Sequence, residues 1–174
     1  MPKIGIIMGS DTDLPIMSQA AKILEDFGVA YEISLMSAHR CPDEAACFAQ
    51  NAENAGIKVI IAAAGLAAHL PGVIASHTIL PVIGVPVMTG PINGVDALFS
   101  IVQMPSGVPV AAVGINSAKN AAYLALEILA TGDEALKEKL RRHKDFLKQE
   151  ILNKNSRLHE KGWQEYLAQM IKEG

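Results

Sequence analysis

Val59-Ile60-Ile61-Ala62-Ala63-Ala64 is an unbroken apolar run that passes directly into Gly65-Leu66-Ala67-Ala68-His69-Leu70-Pro71-Gly72. A short, wholly apolar run followed by a loop of small residues reads as a buried strand of a parallel sheet. Two earlier stretches repeat the design. Ile4–Met8 runs into Gly9-Ser10-Asp11-Thr12-Asp13, and Tyr31–Met36 runs into Ser37-Ala38-His39-Arg40. As neighbouring parallel strands, the three runs would gather their loops on one edge of the sheet, where open α/β folds bind ligands. Those loops offer backbone N–H groups, hydroxyls, a carboxylate, two imidazoles and one guanidinium. The set suits a small phosphorylated molecule and a proton-transfer step.

Working outward, the chain alternates strand and helix. Lys3–Met8 is the first strand. Asp11 to Asp13 are capping candidates for the helix that follows, with Pro15 in its first turn and Gly28 past its end. Ile16, Ala20, Ile23, Leu24 and Phe27 share one face of that helix. Val29–Met36 is the second strand, and Pro42 opens a helix that stops at Gly56. Lys58–Ala64 is the third strand, with a short helix over Leu70–Thr78. Pro81–Val87 is the fourth, before a helix over Asp96–Gln103 capped near Asn93 or Asp96. Val108–Val113 is the fifth, before an Ala-rich helix over Asn116–Ala130. Right-handed crossovers turn this alternation into an α/β fold: a three-layer, doubly wound, parallel five-stranded sheet of flavodoxin-like order 2-1-3-4-5. The first three loops then lie at or beside the switch point.

Residues 1–132 form this catalytic part; residues 133–174 are a C-terminal helical extension of the same single domain. Between Asp133 and Lys161 the tail carries nine basic and six acidic side chains, which read as a solvated face. Leu136, Leu140, Leu147 and Ile151 mark one apolar stripe, and Trp163, Tyr166, Leu167, Met170 and Ile171 a second. The domain's own surface or a neighbouring subunit has to cover them.

Composition narrows the class. A chain of 174 residues supports one domain with a substantial core, burying about 70% of its unfolded surface. The net charge of −3 gives no general attraction to nucleic acid or anionic membrane. No stretch reaches the roughly eighteen apolar residues of a membrane span, and no signal-peptide pattern opens the chain. Cys41 and Cys47 fall on different faces of one helix, which disfavours a mutual disulfide and a zinc site. No metal-ligand spacing stands out. The expectation is a reduced, cytoplasmic enzyme with no metal.

Arg40 is the most telling residue. It is the only arginine before Arg141, and the first 132 residues hold just four other cations: Lys3, Lys22, Lys58 and Lys119. Its planar fork fits phosphate oxygens; the plainer reading pairs it with Asp43 or Glu44. Gly9–Asp13 is a strand-to-helix turn whose N–H groups favour an anion. It is neither a P-loop nor a Gly-x-Gly-x-x-Gly turn. Of its two carboxylates, one is expected to cap the helix and the other to meet sugar hydroxyls. His39 carries an imidazole, which can give and take a proton, and suits proton transfer, against a plainer role bonding loop backbone. His69 sits in a loop able to close over a ligand, against a plainer role in capping or packing. Gly65 and Gly72 would let backbone approach a ligand, or merely serve turn geometry.

Read together, Met8-Gly9-Ser10-x-x-Asp13, Ser37-Ala38-His39-Arg40-x-Pro42, Ala64-Gly65-x-Ala67-Ala68-His69-Leu70-Pro71-Gly72, Gly84-Val85-Pro86-Val87 and Ser100-Ile101-Val102-Gln103-Met104-Pro105-x-Gly107-Val108-Pro109-Val110 resemble the 5-(carboxyamino)imidazole ribonucleotide mutases of de novo purine biosynthesis. The resemblance covers roughly residues 3–130; the tail matches only in kind. It implies an isomerase that moves a carboxyl group from the exocyclic nitrogen to carbon 4 of the imidazole, with no cofactor. It implies that Ser10, Asp13 and Arg40 bind the ribonucleotide and that Ser37 assists at the phosphate. His39 then transfers the proton, and His69 and Gly72 belong to a mobile loop over the imidazole. It further implies a homo-octamer with sites at subunit junctions, and functional pairing with an ATP-dependent synthetase of the substrate. Three positions depart from the family pattern: Thr12 for a usual serine, Cys41 for a usual threonine, and Gly114–Lys119 for a turn richer in Gly and Ala. A sister class that carboxylates aminoimidazole ribonucleotide directly with carbon dioxide differs mainly at the Ala-Ala-His-Leu-Pro-Gly loop, and the intact string favours the mutase. Outside that chemistry the competing readings are a flavodoxin-like nucleotide or electron-transfer module and a non-catalytic assembly protein.

Overall fold

The computed structural model describes residues 3–173. Strands β1 (Lys3–Met8), β2 (Ala30–Leu35), β3 (Ile57–Gly65), β4 (Val82–Val87) and β5 (Ala111–Ala112) form one sheet in the order β2-β1-β3-β4-β5. Every neighbouring pair is parallel. Each strand leads into a helix: α1 (Leu14–Phe27), α2 (Pro42–Asn51), α3 (Leu70–Ser76), α4 (Val95–Val102) and α5 (Ala118–Ala130). The predicted three-layer, doubly wound sheet is what forms. Contacts within the chain define two compact units, one of the described residues up to Asp133 and one of those from Glu134 on.

Burial explains the order. β3 lies between β1 and β4, and Val59–Ala64 are all buried, as a strand covered on both faces must be. Ile4, Ile6 and Ile7 of β1 are wholly enclosed; each isoleucine so buried contributes about 1.5–3 kcal/mol. On one face Ala45, Ala49, Leu70, Ile74, Ala97 and Ile101 bring α2, α3 and α4 onto Ile7, Ile57 and Ile60. On the other, α1 and α5 pack against each other, with Phe27 edge-on to Tyr123. Alanine on the helices lets them approach the sheet closely. Gly84 in β4 is required by the same closeness: a Cβ there would fall 2.4 Å from Ile101 Cγ2.

Register places the loops. Met8 pairs with Leu35 on one side and Ala63 on the other, so β1 and β2 end level, β3 runs two residues further to Gly65, and their loops share one edge.

Several boundaries move. α1 buries Met17 and Ala21 with Ala20, Leu24 and Phe27, while Ile16 and Ile23 are only half-buried. α2 ends at Asn51, and the Gly56 N–H then turns back to the Glu53 carbonyl. α4 begins after Gly94, with no side-chain cap from Asn93 or Asp96. β5 pairs only through Ala111 and Ala112: Pro109 has no N–H for a ladder, so Val108–Val110 runs alongside unpaired.

In the second unit α6 (Glu134–Lys161) and α7 (Trp163–Glu173) are separate helices, broken at Gly162. Leu136 and Leu140 are buried, whereas Leu147, Ile151, Trp163, Leu167, Met170 and Ile171 are exposed. No helix among the described residues is long and apolar enough to cross a membrane.

Candidate active site

Where these strands end, a cleft of about 360 Å³ is lined by the loops after β1, β2 and β3. Ser10, Asp13, Ser37, His39, Arg40 and His69 all line it. Six of the seven residues singled out from the sequence thus meet in one place. The seventh, Gly72, lies in the first turn of α3, where a Cβ would meet the Met104 sulfur at 3.0 Å. It makes room for a neighbour rather than lining the cleft.

The β1 loop is built around Ser10. Residues Asp11–Asp13 form a single 3-10 turn before α1, and the Ser10 hydroxyl caps it by accepting the Thr12 N–H at 3.3 Å. The Thr12 hydroxyl donates to the same oxygen at 2.8 Å. Asp13 occupies the N-cap position of α1, but neither it nor Asp11 caps by side chain, contrary to the sequence expectation; the side-chain cap here is Ser10, on the 3-10 turn before α1. The Asp13 carboxyl is therefore not spent on capping. It is the buried acidic residue of the described core. Burial pushes its carboxyl above the usual value of 3.8, the nearby Asp11 charge adds to this, and the Ser10 backbone N–H opposes it. A buried carboxyl at the cleft suits binding of sugar hydroxyls.

The β2 loop is a tight turn closed by Cys41. The Cys41 N–H donates to the Ser37 carbonyl at 2.9 Å, and the Ser37 N–H donates to Cys41 Sγ at 3.0 Å. The Ser37 hydroxyl accepts the backbone N–H groups of His39 and Arg40, each at 3.3 Å. Ser37 thus shapes the turn that presents both residues. Arg40 does not turn to Asp43 or Glu44. Its Nη2 donates to the Gly9 carbonyl at 2.7 Å, which brings the lone cation of this edge against the β1 loop. The remaining guanidinium N–H groups are available to an anion lying over Ser10.

The two imidazoles, weighed separately in the sequence, form a pair. His39 Nε2 and His69 Nδ1 are 2.6 Å apart, and the rings meet nearly edge-to-face at 4.9 Å between centroids. Their spacing of thirty residues along the chain hides the contact, which exists because β2 and β3 flank β1.

Thr89 also lines the cleft, from the loop after β4, and the sequence reading passed over it. The strand-end rule that collected the first three loops applies equally to the fourth, and that was the available signal. Gly65 is explained with it. A Cβ on Gly65 would lie 2.2 Å from Thr89 Oγ1, so the missing side chain admits the threonine hydroxyl. Among the described residues, no group of three or more His, Cys, Asp or Glu side chains is placed to hold a metal ion.

A family model described as AIR carboxylase matches residues 3–150. The N5-carboxyaminoimidazole ribonucleotide mutase of Pyrococcus horikoshii is 59% identical over 168 residues, covering 97% of this chain and 95% of that protein. The protein of the same description from Thermotoga maritima is 59% identical over 169 residues, covering 97% of this chain and 99% of that one. The crystal structure of Treponema denticola PurE matches with a TM-score of 0.83 at 28% identity, covering 91% of this chain and 99% of that chain.

Proposed function

The chain belongs to the AIR carboxylase family, and on that premise we propose how its cleft works. The activity is that of an N5-carboxyaminoimidazole ribonucleotide mutase, an isomerase of de novo purine biosynthesis. Arg40 and the N–H groups of the Ser10 turn take the 5′-phosphate, and Asp13 takes ribose hydroxyls. The imidazole then lies towards His39 and His69. The observation that carries this reading is the His39–His69 hydrogen bond beside the one cationic anchor, in the same cleft.

The reaction needs one proton in and one proton out. The carbamate C–N bond breaks, releasing carbon dioxide, and the exocyclic nitrogen gains a proton. Carbon 4 of the electron-rich ring attacks the carbon dioxide. That carbon then carries both hydrogen and carboxylate, and a base removes the hydrogen to restore the aromatic ring. Two bridged imidazoles suit the cycle. One hydrogen lies between His39 Nε2 and His69 Nδ1. His39 faces substrate through Nδ1 and makes both transfers, giving a proton to the nitrogen first and taking the carbon 4 proton second; the shared hydrogen moves to His39 from His69 as His39 gives its proton, and moves back when His39 takes the second. The cleft's other task is to hold the ring still and retain carbon dioxide.

The protein works as a homo-octamer in the cytoplasm, supplied by a synthetase that makes the labile carbamate with ATP. Gly72 supports the loop carrying His69 through its fit to Met104. Product assays test the activity. The purified protein should convert the carbamate substrate to 4-carboxy-5-aminoimidazole ribonucleotide faster than it carboxylates aminoimidazole ribonucleotide in bicarbonate. The reverse preference would make it a direct carboxylase.

A further inference from the structure

We propose that Thr89 is a further substrate-binding residue, whose hydroxyl donates a hydrogen bond to the carboxylate that migrates. The proposal rests on the mutase reading. Thr89 follows β4 and lines the cleft. Its Oγ1 is buried and has no hydrogen-bond partner among the described residues. An enclosed hydroxyl without a partner is uncommon in a folded protein and calls for an explanation. The fold keeps a place for this one, since any side chain at Gly65 would displace it.

Position selects the ligand group. The phosphate anchor, Arg40 on Gly9, belongs to the β2 and β1 loops. Thr89 belongs to the β4 loop, on the far side of β3. A ribonucleotide anchored at its phosphate extends across the sheet edge, past the His39–His69 pair, and puts its reacting end beside Gly65 and Thr89. The group there that needs a donor is the carboxylate, first on nitrogen and then on carbon. A hydroxyl with no other commitment can follow it between the two positions.

The same corner holds a strained backbone. Leu66 adopts a left-handed backbone with φ of 53°, a strained state for a bulky residue, and half its surface is exposed. Its Cδ2 lies 2.5 Å from where a Cβ on Gly90, the neighbour of Thr89, would stand. Leu66 therefore stands beside this loop, at the cleft that Thr89 lines.

The test compares ligands with and without the carboxylate. Thr89→Val keeps the shape and removes the hydroxyl. It should weaken binding of 4-carboxy-5-aminoimidazole ribonucleotide about tenfold, a modest value for a hydrogen bond to a charged group. Binding of aminoimidazole ribonucleotide, which lacks the carboxylate, should not change. Thr89→Ser should restore the wild-type preference, which separates loss of the hydroxyl from loss of packing. Gly65→Ala, which pushes the hydroxyl aside, should reproduce the selective loss. Equal weakening of both ligands by Thr89→Val, or no weakening, overturns the assignment to Thr89. Failure of the wild-type protein to interconvert the carbamate and the 4-carboxy product would instead overturn the mutase reading.

Discussion

If the histidine pair relays one proton, its two members fail as a unit. His39→Asn removes the imidazole that meets the substrate and should lower turnover by about a hundredfold or more, the range for a general acid–base group. His69→Asn distinguishes two roles. The contact is one hydrogen bond of 2.6 Å between exposed rings. A bond that merely orients His39 is worth about 0.5–1.5 kcal/mol, or roughly two- to tenfold in rate. A proton store is needed in every turnover, and its loss should approach the cost of losing His39 itself. We expect His69→Asn to lower turnover by about a hundredfold, and the double variant to be no worse than the more damaged single one. Saturating turnover gives the chemical effect; calorimetric affinity for aminoimidazole ribonucleotide shows that the site still binds. A loss under tenfold for His69→Asn, or single effects that multiply in the double variant, would refute the relay and leave His39 acting alone.

Four further outcomes follow from the geometry. Arg40→Ala should weaken the ribonucleotide by about 1.5–3 kcal/mol while leaving the affinity of the dephosphorylated ligand unchanged; equal weakening of both would place the phosphate elsewhere. Burial raises the Asp13 carboxyl above 3.8, so the folded state holds that proton more tightly, and stability falls as pH rises from 3.8 through the raised value. Asp13→Asn should therefore raise the urea midpoint above wild type near neutral pH, with the gain vanishing below pH 3.8, while ribonucleotide binding is lost. Gly84→Ala forces a methyl to within 2.4 Å of Ile101 and should cost about 1–3 kcal/mol in denaturant unfolding; a cost near zero would show that α4 is freer than its packing implies. Ending the chain at Lys161 removes the exposed Trp163, Leu167, Met170 and Ile171 of α7 and should lower the oligomer's sedimenting mass or its melting temperature, whereas unchanged values would deny α7 a part in assembly.

What the sequence made legible follows from which signals are local. Val59–Ala64 announced its place because a strand flanked on both sides needs apolar residues on both faces. The alternation of runs and helices then left few topologies, and the order β2-β1-β3-β4-β5 is the one formed. The tail stripes were legible as helices but not as buried faces, since exposure of Leu147 or Ile151 depends on what lies opposite and not on helical spacing. Ser10, not a carboxylate, is the side-chain cap because its short side chain reaches the Thr12 N–H directly, and Asp13 is buried. Composition near Asp11 and Asp13 carried no sign of that outcome.

The site divides along the same line. Arg40 could be singled out because a nearly cation-free sheet domain places it at a strand end, a fact of composition and local position. The partnership of His39 with His69 could not, because it depends on β1 separating their strands and on both loops turning inward. Thr89 is the most instructive case. No motif marks it, and a lone threonine after a strand is unremarkable in any sequence. It becomes informative only when Gly65, one strand away, is seen to lack a side chain exactly where that hydroxyl stands. Glycine in a loop invites the explanation that a ligand comes close. Here the closest approach belongs to another side chain, and the ligand's share in that corner has to be inferred from the hydroxyl the glycine admits.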